Sequence, residues 1–404
     1  MLLIGDLHIT SKIQDRLLEA VKAFVANHNE EKNLIFLWDF VYHFSYDRKA
    51  LGALFDLFLQ WYKEGKQLYI LAGNHDWMGQ FFVFDEGRKT FELFQSGIKF
   101  ITKPLLETID GEQVLFLPHM LEIHLEDYPW IEEFQDEQYQ QMIKTNHKNL
   151  IFSAKLNLLL SYFQAQQAGT LTVIHHYYFD GVAFPGQKSK FSFKDLALDQ
   201  KWLNHPRLKL ISGHLHQAFC YQNYLCTGST WATSPLEENQ LKAFWKWNND
   251  GVFCYETGVN AYLSLDFDAR KWSLKNEDVQ AFHSVLEDKF KMNCQKVAGI
   301  PVMFEPHSSF DFKYTTLFLR VPELHYTQMD QFATPELQNS LSDLRLKKQH
   351  IPVEDLLGQL QAADKWNLQG SFTAWVELLK NLLRKKYPQD YDEYESLLQE
   401  LHLL

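Results

Sequence analysis

Apolar runs of strand length alternate with amphipathic helical stretches along the first part of the chain, and this alternation limits the folds open to it. Leu2 to Ile4, Asn33 to Trp38 and Leu68 to Ala72 have the length of buried strands. Between them, apolar residues recur at helical spacing, from Leu17 to Val25 and from about Lys49 to Gly65. Because strands joined through helices pack as layers, this order predicts an α/β fold.

Polar residues follow the predicted strand ends in separate segments. They are Asp6-Leu7-His8, Asp39, Asn74-His75-Asp76, His175-His176 and His214-Leu215-His216. The carboxyl ends of strands in α/β sheets form crevices that bind ligands, and in extended backbone residues two apart point the same way. Carboxylate, carboxamide and imidazole groups without thiolate suit manganese, iron, zinc or magnesium. The number of ligands predicts two divalent ions, with manganese as the first choice.

Each segment taken alone has an ordinary alternative explanation. Asp-x-His is common in helix caps and surface turns, and Gly-Asn-His-Asp suits a turn that needs positive φ. All of these segments occur in order, each after a predicted strand, and this favours a metal site over the alternative.

The ordered motifs resemble those of the calcineurin-like metallophosphoesterase superfamily over about residues 3 to 217. That family has Asp-x-His, Gly-Asp, Gly-Asn-His-Asp/Glu, a strand-end His and Gly-His-x-His. The resemblance implies a four-layer sandwich of two mixed β-sheets flanked by helices, followed by a smaller C-terminal α+β or helical region. A change to a helix-rich, charged sequence predicts a catalytic domain at residues 1–265 and an accessory region at 266–404.

The resemblance also implies a role for each motif residue. The ligands would be Asp6, His8 and His216 at the first metal and Asn74, His175 and His214 at the second, with Asp39 bridging the two. His75 would contact the phosphate and protonate the leaving oxygen, and Asp76 would orient the imidazole of His75. Two cations would polarise the phosphoryl oxygen and activate a water for in-line attack. The chain is therefore expected to hydrolyse phosphate esters.

Residues 226–244 resemble a segment of the SbcD-type DNA double-strand-break-repair nucleases. Their pattern Tyr-Pro-Gly-Ser-x-x-Arg-Thr-Ser, with a later Glu and Lys-Gly-Phe, is similar to the stretch from Cys226 to Phe244. In those proteins a helical tail grips an ATPase subunit with a long coiled coil, and the amphipathic helix predicted from Phe372 to Lys386 suits that role. Docking of this helix on its own domain is an equal alternative, and a homodimer stays open.

The formal charge of −12 is unusual for a protein that binds nucleic acid by itself. A phosphate-bearing substrate would be attracted by bound cations, by a local patch at Lys188, Lys190 and Lys194, or by the basic surface of a partner. The charge therefore favours a second function, a stand-alone phosphatase or phosphodiesterase acting on a small nucleotide or a phosphoprotein.

The cysteine pattern and the apolar runs bear on the compartment. The four cysteines lack Cys-x-x-Cys spacing, so the sequence predicts neither a thiolate zinc site nor a disulfide framework. The chain start has no signal-peptide pattern, and no apolar run approaches the roughly 20 residues that span a bilayer. These features predict a cytoplasmic protein that does not contact a membrane.

The chain departs from the family pattern at Trp38, where the family has glycine before the second Asp. An indole there is expected to crowd the metals and distort Asp39 unless it turns away from the site. A stop codon reassigned to glycine but translated as tryptophan is the second explanation, and 11 Trp beside 18 Gly fits it. A disturbed site would leave a third function, a catalytically impaired scaffold.

Other aromatic and imidazole residues receive lesser roles from the sequence. Tyr42 is expected to line the pocket rather than bind metal, and His43 and His176 are expected to contact the metal ligands without binding metal themselves. The residues expected on the surface are His119, His124 and His147. The residues expected to pack in the core rather than stack on a nucleobase are Tyr177, Tyr178 and Phe179.

Overall fold

The computed structural model describes most of the chain up to residue 349. The described residues are 1–37, 39–41, 47–85, 88, 97–124, 127–129, 136–184, 196–248, 250–259, 261–266, 273–305, 312–322, 332–349 and 384. The predicted lysine patch at residues 188–194 lies outside them. So does the predicted helix from Phe372 to Lys386, apart from Arg384.

The chain divides into two units. The first comprises Met1–Leu319 and Gln331–Arg345, and the second comprises Arg320–Asp330 and Leu346–Leu404. Within the second unit the structure describes residues 320–322, 346–349 and 384. The division between residues 265 and 266 stays a prediction, although residues after 266 add strands to the main sheet, as described below.

Amphipathic segments form the helices that the apolar spacing predicts near the start of the chain. The described helices are α1 (Gln14–Asn27), α2 (Arg48–Lys63), α3 (Glu137–Ile143), α4 (Lys148–Ala165), α5 (Asn276–Asn293) and α6 (Pro335–Ser340). The carboxylate of Asp47 caps α2 by accepting the backbone N–H of Ala50.

The larger sheet combines parallel and antiparallel strands. Its members are β1 (Leu2–Ile4), β2 (Asn33–Leu37), β3 (Gln67–Leu71), β6 (Ile98–Ile101), β15 (Ala243–Asn248), β16 (Gly251–Glu256), β18 (Lys296–Val297) and β19 (Ile300–Glu305). They lie in the order β18-β19-β16-β15-β1-β2-β3-β6. The neighbouring strands β1, β2, β3 and β6 are parallel, whereas β15 is antiparallel to β1.

The smaller sheet is also mixed. Its members are β7 (Leu105–Ile109), β8 (Glu112–Leu117), β9 (Leu171–His175), β12 (Leu208–Ser212), β13 (Phe219–Tyr221) and β14 (Tyr224–Cys226), in the order β13-β14-β12-β9-β8-β7. Short pairs join β4 (Trp77–Met78) to β5 (Phe81–Phe82) and β10 (Tyr178–Phe179) to β11 (Ala197–Leu198). A further sheet contains β17 (Ala261–Asp266), β20 (Thr315–Pro322) and β21 (Asp343–Gln349).

Side-chain alternation along the strands builds the layers of the first unit. In β1, Leu2 and Ile4 face a core cluster that includes residues of α1 and α2, whereas Leu3 faces the cluster between the two sheets. In β9, Val173 faces the cluster that contains α4, whereas Ile174 faces the cluster between the sheets. The order helix, sheet, sheet, helix confirms the predicted four-layer α/β sandwich.

The C-terminal part of the first unit contacts the larger sheet through His283 and is joined covalently to β13 of the smaller sheet. His283 of α5 is buried, with Nε2 2.8 Å from a carboxylate oxygen of Glu256. The sequence indicates no disulfide framework, whereas in the structure Cys220 and Cys294 form one disulfide with Cα atoms 4.8 Å apart. The two cysteines are 74 residues apart, and their sequence spacing therefore gives no signal. Among the described residues, no helix combines the length and apolar character needed to cross a membrane.

Candidate metal centre

Two groups of carboxylate and imidazole side chains meet where several parallel strands end. Each group contributes ligand atoms that lie within 4.8 Å of one another. The first cluster contains Asp6, His8 and His216, and the second cluster contains Asp39, His176 and His214. In each cluster two members are buried and the third, His216 in the first cluster and His214 in the second, is half-buried.

Asp6 is held by a close approach of two backbone segments. A Cβ atom on Gly5 would lie 2.1 Å from the carbonyl oxygen of Gly228, so only glycine permits the contact at this position. The Thr230 backbone N–H donates to the Asp6 carbonyl oxygen at 3.0 Å, and the His214 N–H donates to Oδ2 at 2.9 Å. The other carboxylate oxygen, Oδ1, is buried and has no hydrogen-bond partner among the described residues.

The buried environment of Asp6 favours a cation next to its carboxylate. Burial and the neighbouring charge of Asp39 raise the pKa of Asp6 well above its usual range. An ionised carboxylate in that position is costly unless it is paired or coordinates a metal. The orphaned Oδ1 therefore fits a metal ligand.

The imidazoles of His8 and His216 present ligand nitrogens to each other. His8 Nδ1–H donates to the Val41 carbonyl oxygen at 2.9 Å, and His216 Nδ1–H donates to a Glu237 carboxylate oxygen at 2.7 Å. Burial lowers the pKa of His8 to about 4, so that its ring is neutral at neutral pH. In their neutral forms both rings therefore carry a lone pair on Nε2.

These two lone pairs face each other, with the Nε2 atoms 3.0 Å apart. Two acceptors at this distance repel unless a cation lies between them. Two imidazole nitrogens that bind one metal at about 2.1 Å and at right angles would be about 3.0 Å apart. The first cluster therefore fits a divalent ion.

The second cluster converges on Nε2 of His176. This atom lies 2.6 Å from Asn74 Oδ1, 2.9 Å from His214 Nδ1 and 3.4 Å from Asp39 Oδ2. A carboxylate, a carboxamide and an imidazole thus surround Nε2 of His176, and none of these groups is a thiolate. This donor set suits a divalent ion of the manganese, iron, zinc or magnesium type.

Asp39 belongs to the second cluster and also lies near His8 of the first cluster. Its Oδ2 lies 4.0 Å from His8 Nε2 and 3.4 Å from His176 Nε2, while Oδ1 accepts the backbone N–H of His75 at 2.9 Å. Although burial alone would raise it, the charge and hydrogen bond of His176 and the nearby His8 hold the pKa of Asp39 well below its usual range. An ionised carboxylate between two ligand groups is positioned to bridge two ions.

The comparison with known families bears on this arrangement. A model of the calcineurin-like phosphoesterase family matches residues 1–218, more than half of the 404 residues and close to the span that the motifs predict. The chain belongs to this family. No curated protein matches it. Membership of this family supports a hydrolase that acts on phosphate esters, and the two clusters are its candidate metal centre.

His175 and His176, at the end of strand β9, point in different directions. His175 shares the strand face of Leu171 and Val173, and its ring packs against Tyr224 and Phe179 at centroid distances of 5.8 and 5.3 Å. His175 Nε2 is buried without a hydrogen-bond partner among the described residues. The family resemblance implies His175 as a ligand of the second metal, whereas in the structure His176 lies with Asp39 and His214. The physical reason is strand alternation, which directs His175 into the core.

His75 and Asp76 occupy the loop after β3. The imidazole of the half-buried His75 lies beside His8, with ring centroids 5.3 Å apart. Asp76 is fully buried, and its oxygens accept the backbone N–H groups of Phe40 at 2.7 Å and Gly73 at 2.8 Å. Asp76 thereby ties the loop that carries Asp39 to its own loop. Its predicted role in orienting His75 stays a prediction.

Three candidate ligand residues of the site have backbone conformations that are rare for non-glycine residues. His8, Asp39 and His214 have φ of 41°, 46° and 69°, in the left-handed region that non-glycine residues rarely adopt. Such conformations cost on the order of 1–3 kcal/mol each and cluster at functional sites. Trp38, Tyr42 and His43, to which the sequence analysis gives roles near Asp39, lie outside the described residues.

Further residues that the sequence did not indicate lie at this site in the structure. His119 follows β8 and is half-buried, with its ring centroid 6.1 Å from that of His176. The rule that polar residues after strands line the site would have found it, because Pro118-His119 follows the apolar run Val114 to Leu117. The sequence did not indicate Glu237 and Lys242 either, because their spacing from the histidine motifs gives no sign that they lie near these motifs in the fold.

Proposed function

We propose that the chain is a dinuclear-metal-dependent phosphodiester hydrolase, and specifically a DNA nuclease of the SbcD-like type that works with an ATPase partner. The observation that carries the proposal is the shared position of Asp39. Its carboxylate lies between the imidazoles of His8 and His176, which belong to separate clusters. A bridging carboxylate is what a pair of ions acting together on one phosphate requires.

The proposal assigns the metal ligands from the geometry. Asp6, His8 and His216 would hold the first ion, Asn74, His176 and His214 would hold the second, and Asp39 would be shared between them. Two bound divalent ions, with manganese as the first choice, would polarise the phosphoryl oxygen and activate water as the nucleophile. His75, half-buried beside His8, contacts the phosphate and gives a proton to the leaving oxygen.

The nuclease part of the proposal is supported by how residues 226–244 enter the site. Ser229 forms an isolated bridge with Asp6, and the indole N–H of Trp231 donates to the Leu7 carbonyl oxygen at 2.7 Å. In the same segment Glu237 accepts the Nδ1–H of His216 at 2.7 Å. The part of the sequence that resembles the SbcD-type nucleases is thus built into the metal centre.

The ATPase partner is proposed from charge. The chain carries a formal charge of −12, and DNA binding usually needs a basic face that neutralises phosphates. Metal ions attract phosphate at the site itself, but a long duplex also needs contacts outside the site. A partner subunit with a basic surface would supply them.

The test compares substrates with the purified full chain in manganese buffer. Linear duplex DNA, single-stranded DNA and the chromogenic diester bis-p-nitrophenyl phosphate are assayed beside the monoester p-nitrophenyl phosphate. Asp39→Asn, purified identically, controls for contaminating nucleases. Manganese-dependent cleavage of DNA that is absent from the Asp39→Asn sample supports the nuclease proposal.

A stand-alone phosphatase or phosphodiesterase acting on a small nucleotide or a phosphoprotein is the second candidate, and the acidic charge favours it. Efficient turnover of the chromogenic ester with DNA left intact would select this candidate. Fewer than two bound ions and no turnover of any ester would instead select the catalytically impaired scaffold.

A further inference from the structure

A buried ion pair lies directly behind the first cluster. Lys242 Nζ and Glu237 Oε2 are 2.6 Å apart, and the exposed fractions of the two residues are 4% and 7%. Neither residue belongs to a ligand group of the metal centre. Burying two opposite charges away from water costs free energy, and a buried ion pair therefore indicates a structural or functional role.

The carboxylate of Glu237 is saturated with donors, and one of them is a candidate metal ligand. Its Oε1 accepts the Nδ1–H of His216 at 2.7 Å and the hydroxyl of Thr233. Its Oε2 accepts Lys242 Nζ and lies 3.4 Å from the Ser229 hydroxyl. The carboxylate therefore has no freedom to turn away from His216.

Lys242 fixes the same imidazole from the backbone side. Its Nζ donates to the His216 carbonyl oxygen at 2.8 Å and to the Ser229 Oγ at 3.0 Å. Both the ring and the main chain of His216 are thus held by this ion pair.

We infer that Glu237 is a positioning residue for His216 at the first metal, and that Lys242 holds Glu237 in place. A carboxylate that accepts Nδ1–H keeps the lone pair on Nε2, fixes the ring orientation and makes the ring a stronger ligand. This inference rests on the proposed function, because it needs a metal at the first cluster.

The test measures metal affinity rather than turnover alone. Glu237→Gln preserves the shape of the side chain but removes its charge, and Glu238→Gln makes the same change one residue along as the matched control. Manganese binding to the metal-free proteins is followed by calorimetric titration. We expect Glu237→Gln to weaken one of the two sites by about 10-fold to 100-fold and to leave the other unchanged. Excess manganese should restore most of its rate, and Glu238→Gln should match the wild type.

A second variant covers the case in which Glu237→Gln does not fold. Thr233→Val removes one hydroxyl donor to Glu237 with little change of shape, and it should weaken the same site by a smaller factor. Manganese binding at both sites with wild-type affinity in the folded variants would overturn the inference while leaving the proposed function intact. A wild-type protein that binds no manganese would instead overturn the proposed function and this inference with it.

Discussion

Two neighbouring histidines allow a sharp test of the metal centre, because the structure gives them opposite environments. His176 Nε2 lies 2.6 Å from Asn74 Oδ1 and 3.4 Å from Asp39 Oδ2. His175 lies in the core against Tyr224. We predict that His176→Ala removes one of the two metals and abolishes hydrolysis, whereas His175→Phe retains both metals and the activity.

The expected loss in His176→Ala is the stabilisation that the second ion provides. A ligand that binds only the folded state at about 100 times its Kd stabilises by about 2.7 kcal/mol. The wild type should gain this amount from each site, so the variant should lose about 2.7 kcal/mol of the metal-induced stabilisation. Without metal, the two proteins should differ much less.

The expected effect of His175→Phe follows from its packing. Phenylalanine retains a ring against Tyr224 and removes Nε2, a buried polar atom without a hydrogen-bond partner among the described residues. Removing such a group gains about 1–3 kcal/mol, while leaving the buried Tyr177 N–H without Nδ1, its acceptor at 3.4 Å, costs about 1–3 kcal/mol. The net free energy of unfolding should therefore change by no more than about 1–2 kcal/mol.

The assay is chemical unfolding of the wild type and both variants, with and without manganese, combined with metal analysis and turnover of bis-p-nitrophenyl phosphate. His175→Phe serves as the matched control, since it alters the adjacent imidazole. A His175→Phe protein that binds one ion, beside a His176→Ala protein that binds two, would refute the geometric assignment and restore the sequence-based one.

Three other perturbations test the remaining roles. His75→Ala should keep both ions, because its backbone N–H still reaches Asp39, but it should lose about 10²–10⁴-fold in rate as the proton donor disappears; metal analysis with turnover checks this, and a fully active variant contradicts the role. Asp39→Asn should bind fewer than two ions and show no turnover, because it removes the charge shared by both clusters; two ions with normal turnover would argue against bridging. Chelation with EDTA should abolish hydrolysis and lower the thermal midpoint, and added manganese should restore both, whereas activity that survives the chelator would exclude a metal mechanism.

The ligand segments could be predicted from the sequence because they depend on short-range rules. Parallel strands end at one edge of a sheet, so the polar residues after β1, β2 and β3 had to lie near one another. The choice between His175 and His176 needed one further fact, the residue at which β9 ends. Leu171, Val173 and His175 alternate onto one face, and His176 is the residue released from the strand.

Contacts between distant residues were beyond sequence reasoning. Glu237 meets His216 across 21 residues, and Cys220 meets Cys294 across 74. Each pairing depends on how hairpins and helices dock, which is set by packing of the whole unit rather than by a local pattern. Sequence spacing carries no information about such pairs when homologous chains are not compared.

The balance of buried charge explains why the site needs cations. Asp6, Asp39 and Asp76 are all essentially inaccessible to water, with exposed fractions of 1% or less. The imidazoles cannot neutralise them all, because burial lowers the pKa of His8 to about 4 and lowers the pKa of His214 well below its usual value. Isolated buried carboxylates are too costly to keep ionised, so they must either bind protons or bind cations. Divalent ions at the candidate clusters would resolve this conflict and would also create the positive potential that an acidic chain needs to bind phosphate.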